Sequence, residues 1–220
     1  MALTKFNFNS FDVTSAASKG LGFNASANGF STINPGSMTL IKTLTASSSS
    51  TLSFVHGSSD VVLDSTYPIY RFVFTNMHPS ASDGRFLFNL SIDSGSNYNV
   101  TKTTTFFRAF HNEGDSGTGL SYETDDDLAQ STSFQRLSDT TGNDNDQSCV
   151  GSLNLFNPSS TTFVKHFLST TNTYQDSDYS INNYVAGYAN TTSAVNGIQF
   201  KFDSGNIDSG TIKLYGIKDS

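Results

Sequence analysis

The chain has 220 residues; 14 % are charged, and 19 acidic against 12 basic side chains give a net charge of −7. It has no Lys/Arg block, so counterion release from a phosphate backbone has nothing to drive it and nucleic acid is excluded as a partner. No stretch approaches the ~20 apolar residues of a membrane span, and no membrane insertion is expected. Nineteen Phe and nine Tyr are too many rings for a disordered chain. Set among Ser, Thr, Asn and Gly, they predict many short strands joined by turns.

Residues 1–35 stand apart. Phe6, Phe8, Phe11, Phe23 and Phe30 are isolated by Ala, Ser, Asn and Gly, without the apolar run of a core strand. This segment reads as an extended N-terminal arm whose rings dock on a neighbour. Asn34-Pro35-Gly36 is a turn and the boundary with a single domain over residues 36–220. The N-terminus MALTKFNFNSF has no apolar run of signal-peptide length, so synthesis in the cytoplasm without secretion is expected.

Beyond the boundary, period-two alternation recurs. Met38, Leu40 and Leu44 share a parity; Leu52 and Phe54 follow a polar Ser47–Ser50 turn; Tyr70, Phe72 and Phe74 share a face. Phe86, Phe88, Leu90 and Ile92 form the clearest stripe, opposed by Arg85, Asn89 and Ser91, with a strongly specified register. Strands are further predicted at 103–111, 151–157, 161–169 and 180–190. The chain closes with IQFKFDS (198–204), a turn at 205–210 and TIKLYGIK (211–218), which predicts a final hairpin. The best helical stretch, 126–134, is too short to count. Eight to ten strands predict an all-β fold, a two-sheet antiparallel sandwich, jelly-roll-like, with an extended N-terminal arm. The polar stretch from His111 to Ser148 is expected to be an excursion from one end.

Several patterns bear on chemistry. TGNDNDQS (141–148) sets alternating oxygen ligands, and Asp144 with Asp146 is the pair through which calcium would enter. An EF-hand register from Asp144 fails, because Ser148, Cys149 and Leu155 fall at positions 5, 6 and 12. The expectation is a solvated turn and no metal. His56, His78, His111 and His166 are widely spaced and lack a zinc pattern. Glu113 with Asp115, or Glu123 with Asp125, is too little to define a glycosidase pair. No nucleophile elbow or phosphate loop is present. Cys149 reads as a small apolar strand residue. No enzyme activity and no cofactor are expected.

Two sets of phrases carry a resemblance. TSAASKGLGFNASANGFSTI (14–33) looks like the short linker of bacteriophage tail-fibre and related virion proteins. The body resembles a family of small virion-associated structural proteins of marine phages, including those of cyanobacteria. The similar phrases are GSMTLIKTLTASSSSTLSF (36–54), STYPIYRFVFTNMHPS (65–80), TTTFFRAFHNE (103–113), GNDNDQS (142–148), LNLFNPSSTTFVKHF (153–167) and residues 184–218. The resemblance implies a structural or adhesive role in the virion, with no catalytic or binding residues to carry over. The chain is therefore expected to be a tail- or fibre-associated or exposed surface component, docked on other virion proteins through its arm. A capsid decoration or cement protein and a carbohydrate-binding adhesin are the alternatives. Symmetric association is the rule for such components; a homo-oligomer is expected, with a trimer favoured. A surface that contacts a host glycan would use the polar excursion, at Asn112, Tyr122, Asp125, Asp126, Asp127, Asn143 and Asp144.

Overall fold

The computed structural model describes residues 20–23, 26, 30–33 and 37–218; Phe6, Phe8 and Phe11 of the expected arm lie outside them. The chain divides into two compact units, Met1–Thr39 and Leu40–Ser220. In the first, β1 (Gly20–Phe23) pairs antiparallel with β2 (Phe30–Ile33). Phe23 stands opposite Phe30, and their rings stack with centroids 5.1 Å apart. This part of the expected arm is thus a hairpin rather than an isolated extended strand, because two of its spaced rings meet across the ribbon.

The second unit is built from twelve further strands. They are β3 (Met38–Thr45), β4 (Leu52–Val55), β5 (Ile69–Pro79), β6 (Gly84–Ser91), β7 (Lys102–Asn112) and β8 (Thr118–Tyr122). The second half adds β9 (Gln135–Thr141), β10 (Cys149–Phe156), β11 (Lys165–Gln175), β12 (Tyr179–Ala189), β13 (Gly197–Phe202) and β14 (Ile207–Ile217). An eight-stranded sheet has the order β3-β14-β5-β10-β11-β12-β7-β8, and a four-stranded sheet the order β4-β13-β6-β9. The quartets β3-β14-β5-β10 and β4-β13-β6-β9 are the two sheets of a jelly roll. Two hairpins, β7–β8 and β11–β12, are inserted after β6 and after β10. Both add to the wide sheet beside β10, which doubles its width.

Aromatic rings fill the space between the quartets. Phe200 of β13 lies at 5.3–6.3 Å centroid separation from Phe54, Phe72, Phe74 and Phe86. Most of these contacts are edge-on or tilted, the arrangement favoured by ring quadrupoles. All five rings are fully buried or nearly so, as the alternation of β4, β5, β6 and β13 predicts.

Four expectations are corrected. First, β13 and β14 are not a hairpin: they lie in opposite sheets, joined by a corner at 203–206. Their alternations face each other across the core, and alternation alone reads the same for a hairpin and a crossing. Second, residues 111–148 are not an excursion. They contain β8 and the buried strand β9. Third, Met38 and Leu40 are exposed, whereas Ile41 and Leu44 pack on the core; β3 is an edge strand whose in–out pattern shifts along its length. Fourth, Ile92 falls beyond β6 and is exposed, while Asn89 and Ser91, on the opposite parity, are fully buried.

Phe200→Ala removes the ring shared by four neighbours and is expected to cost about 3–5 kcal/mol. Ile92→Ser is expected to stay within about 0.5 kcal/mol. Urea unfolding of the two variants checks both.

Candidate functional site

One end of the jelly roll gathers six connections: those after β3, β5, β7, β9, β11 and β13. They are tied together by Ser82 Oγ to Asp176 (3.3 Å), Glu113 N to Asp178 O (3.0 Å), Gly142 N to Tyr174 O (3.2 Å) and Asn206 N to Ser80 Oγ (2.8 Å). The end is strongly acidic, with Glu113, Asp144, Asp146, Asp176, Asp178 and Asp208 on these connections and their flanks. Two depressions open there.

The first, about 450 Å³, is lined by Asn76, His78, Asn145, Asp146, Ser148 and Asp208 among others. It contains the GNDNDQS loop, whose polarity has a structural cause. Gln147 is buried; its Oε1 accepts from Asp144 N (3.0 Å), and its own N–H donates to Asp144 O (2.9 Å). His78 Nδ1 lies 2.7 Å from Gln147 O. A Cβ on Gly142 would fall 1.7 Å from Gln147 Oε1, so a side chain there would displace the Gln147 carboxamide that shapes the loop. Asp144 and Asp146 remain exposed. Among the described residues no three of His, Cys, Asp and Glu come together to hold a metal ion.

The second depression, about 350 Å³, is lined by His111, Asn112, Glu113, Asn172, Tyr174 and Asp178 among others. Tyr174 Oη donates towards Asp178 (3.1 Å) and Glu113 (3.3 Å). The Asp178 hydrogen bond in particular holds its phenol proton, pushing its pKa up to about 12. Asn112 closes the β7–β8 turn: its Oδ1 accepts from Ser116 N and Gly117 N. This groove joins a ring, carboxylates and carboxamides in an open cleft.

The remaining expected surface residues lie elsewhere. Asn143 and Asp144 are at the acidic end, but Tyr122, Asp125, Asp126 and Asp127 run along the free edge of the wide sheet beyond β8. Tyr122 Oη donates to Asp127 (2.6 Å), and Asp126 pairs with Arg136 of β9. The seven residues do not form one loop.

Sequence reading missed a polar interior. Beneath β7, β11 and β12, the buried residues Thr104, Gln135, Asp139, Thr171 and Asn183 bond to one another or to backbone. Arg108 of β7 pairs with both Asp139 and Glu123. Cys149 lies beside them, fully buried, and desolvation pushes its thiol up to about 11. The four histidines sit in four separate contacts: with Leu63 N, Gln147 O, Asp115 and the Tyr188 ring.

Two buried lysines flank Ala189 on the inner face, far along the strands from the acidic end. Lys165 Nζ donates to the carbonyls of Ser160, Phe163 and Thr191. Lys102 Nζ donates to Asn89 Oδ1 (2.5 Å) and Val100 O (2.7 Å). Neither has a carboxylate among these partners. Burial pushes the Lys102 amine from its ordinary 10.5 down to about 7. Comparison with family models, with curated proteins and with solved structures finds no match.

The Lys102 shift fixes a pH dependence. Between about 7 and 10.5 the unfolded chain binds this proton and the folded chain does not, so stability is lost as pH falls towards 7 and gained as it rises. Wild-type unfolding free energy is expected to climb by up to about 1.4 kcal/mol per pH unit above neutrality. Lys102→Met should flatten that slope. Urea titrations between neutrality and the onset of thiol ionisation measure it.

Proposed function

We propose that the chain is a non-enzymatic structural protein of a bacteriophage particle, tail- or fibre-associated or otherwise exposed on its surface, and docked through residues 1–35. The observation that carries this reading is where the reactive side chains go. Histidines, the buried cysteine, the buried lysines and the inward arginine each serve a structural contact. The jelly roll supports it as an architecture shared by capsid and lectin domains, although fold by itself leaves function open. The resemblance of residues 36–54, 65–80 and 184–218 to virion proteins falls on the jelly-roll strands. Spaced rings in 1–35 suit docking on a neighbouring virion protein.

A second reading, a host-glycan-binding adhesin, is favoured by the Tyr174 groove. Saccharide hydroxyls suit its carboxylates and carboxamides, and the tyrosine supplies a ring. A capsid decoration protein, the other role open to the same scaffold, would leave this groove idle.

Quantitative mass spectrometry of purified particles tests the main reading. A few to a few tens of copies per particle are expected. Hundreds would make it a shell component, and none would remove the virion role. Loss of residues 2–33 is expected to abolish incorporation. On a glycan array, binding that Tyr174→Ala reduces at least tenfold would support the adhesin, and no binding would dismiss it.

A further inference from the structure

The outer face of β11, β12, β7 and β8 is unusual for a chain of net charge −7. These four strands contain three charged residues, Lys102, Arg108 and Lys165, and all three point inward. Lys102 and Lys165 are fully buried, and Arg108 is spent on Asp139 and Glu123. The outward positions alternate with them and carry no Asp, Glu, Lys or Arg. At the centre Phe107 stacks on Tyr184, centroids 4.8 Å apart and planes 10° apart. Leu168, Leu120 and Tyr122 stand around this pair, each half-exposed or more. Charge returns at the margins: at Glu113, Asp115 and Asp178 beside the turns, at Asp127 beyond Tyr122, and at Arg71, whose guanidinium reaches Ser152 of β10 on the other side.

We propose that this face is where a second copy of the chain packs, sheet against sheet, about a two-fold axis near the Phe107–Tyr184 pair. Three arguments select a copy of the same chain. Two molecules that each carry −7 repel each other, and a face without acidic side chains is the part of the surface on which they can meet. The area is sufficient. Three strands of 11 residues and one of 5, at about 3.4 Å per residue and 4.8 Å per strand, span roughly 600 Å² before side-chain relief. That clears the roughly 500 Å² per partner that a specific interface needs and stands below the standard size of about 800 Å². The composition is self-complementary: rings and leucines lie next to Thr105, Thr170, Asn172 and Asn182, whose hydroxyls and carboxamides both donate and accept, so an isologous contact leaves no charge unpaired. A flat face meeting itself gives a two-fold, so the unit is a dimer rather than the trimer the sequence favoured. The inference stands independently of the virion role.

Sedimentation velocity of the full-length protein across a wide concentration range tests it. The wild type is expected to sediment as a dimer. Tyr184→Glu and Tyr184→Lys are each expected to be monomeric with an unchanged thermal transition. Mixing the two should restore the dimer, which misfolded variants would not do. Leu40→Glu, on the opposite edge of the same sheet, should leave the dimer intact. A wild-type monomer at every concentration overturns the proposal, as does a trimer or a dimer that the Tyr184 variants do not break. A wild-type monomer whose residues 1–33 become protease-sensitive only in Tyr184→Glu would place the arm on this face, and that too overturns it.

Discussion

The wide sheet has twice as many strands as the sheet facing it, and covering its surplus inner face is the constraint on which the rest of the structure depends. The jelly-roll half is closed by rings. The inserted half is closed by β9, which packs against β11 and β12 with polar side chains. A buried polar group costs about 1–3 kcal/mol when unpaired, so such an interior is tolerable only as a connected network. Asp139 illustrates the terms. It is 6 % exposed, and its carboxylate is held by the Arg108 guanidinium and the Thr140 N–H. Each neutral hydrogen bond returns only about 1 kcal/mol net. The network therefore specifies register more than it adds stability: a one-residue slip of β9 would present Arg136 inward and withdraw Gln135, Leu137 and Asp139 together.

The same economy holds the loops at the opposite end. Lys102 and Lys165 reach backbone carbonyls and one carboxamide, and thereby fix 92–101 and 157–164 against the strands. Both segments are poor in apolar side chains, so packing would not hold them. A long aliphatic stem with a donor at its tip covers apolar surface and satisfies buried carbonyls at once. An amine without a carboxylate partner has its pKa pushed down to about 7 at Lys102, where two acceptors match the two N–H bonds of its uncharged form. Charge inside this protein is a means of joining strands, and its chemistry is spent there.

How much of this was legible follows from what alternation encodes. The alternations of Leu52 with Phe54, of Tyr70 with Phe72 and Phe74, and of Phe86 with Phe88 mark buried faces because each lies in a strand with one apolar and one polar side. Gln135-Arg136-Leu137-Ser138-Asp139-Thr140-Thr141 was read as loop because its buried face is itself polar, and no local signal separates a satisfied Asp from a solvated one. The β13–β14 corner was read as a hairpin because pairing partners are not written in periodicity. At the candidate site, Asn112, Asn143 and Asp144 stand at or beside connections of the acidic end. Tyr122 and Asp125–Asp127 were wrongly grouped with them, since their separation depends on β8, a strand with Leu120 as its one aliphatic residue. Tyr174 was missed: its phenol matters only because the β7–β8 and β11–β12 turns bring Glu113 and Asp178 to it.

A monomer in water ordinarily directs charge outward and keeps neutral side chains within. In β7, β8, β11 and β12 that rule is inverted: every charge is inside and none outside. Inward charge is explained by the breadth of the sheet, since Arg108 and the lysines span distances that apolar side chains would not bridge. Outward neutrality is not explained by it, for nothing in the hydrogen bonding prevents Thr105, Thr170 or Asn182 from being Lys or Glu. Solvation would favour such residues on a free surface, and so would the solubility of the chain. Neutrality there is instead what an interface between identical acidic molecules requires. The acidic connections beyond the strand ends would then flank the contact rather than enter it.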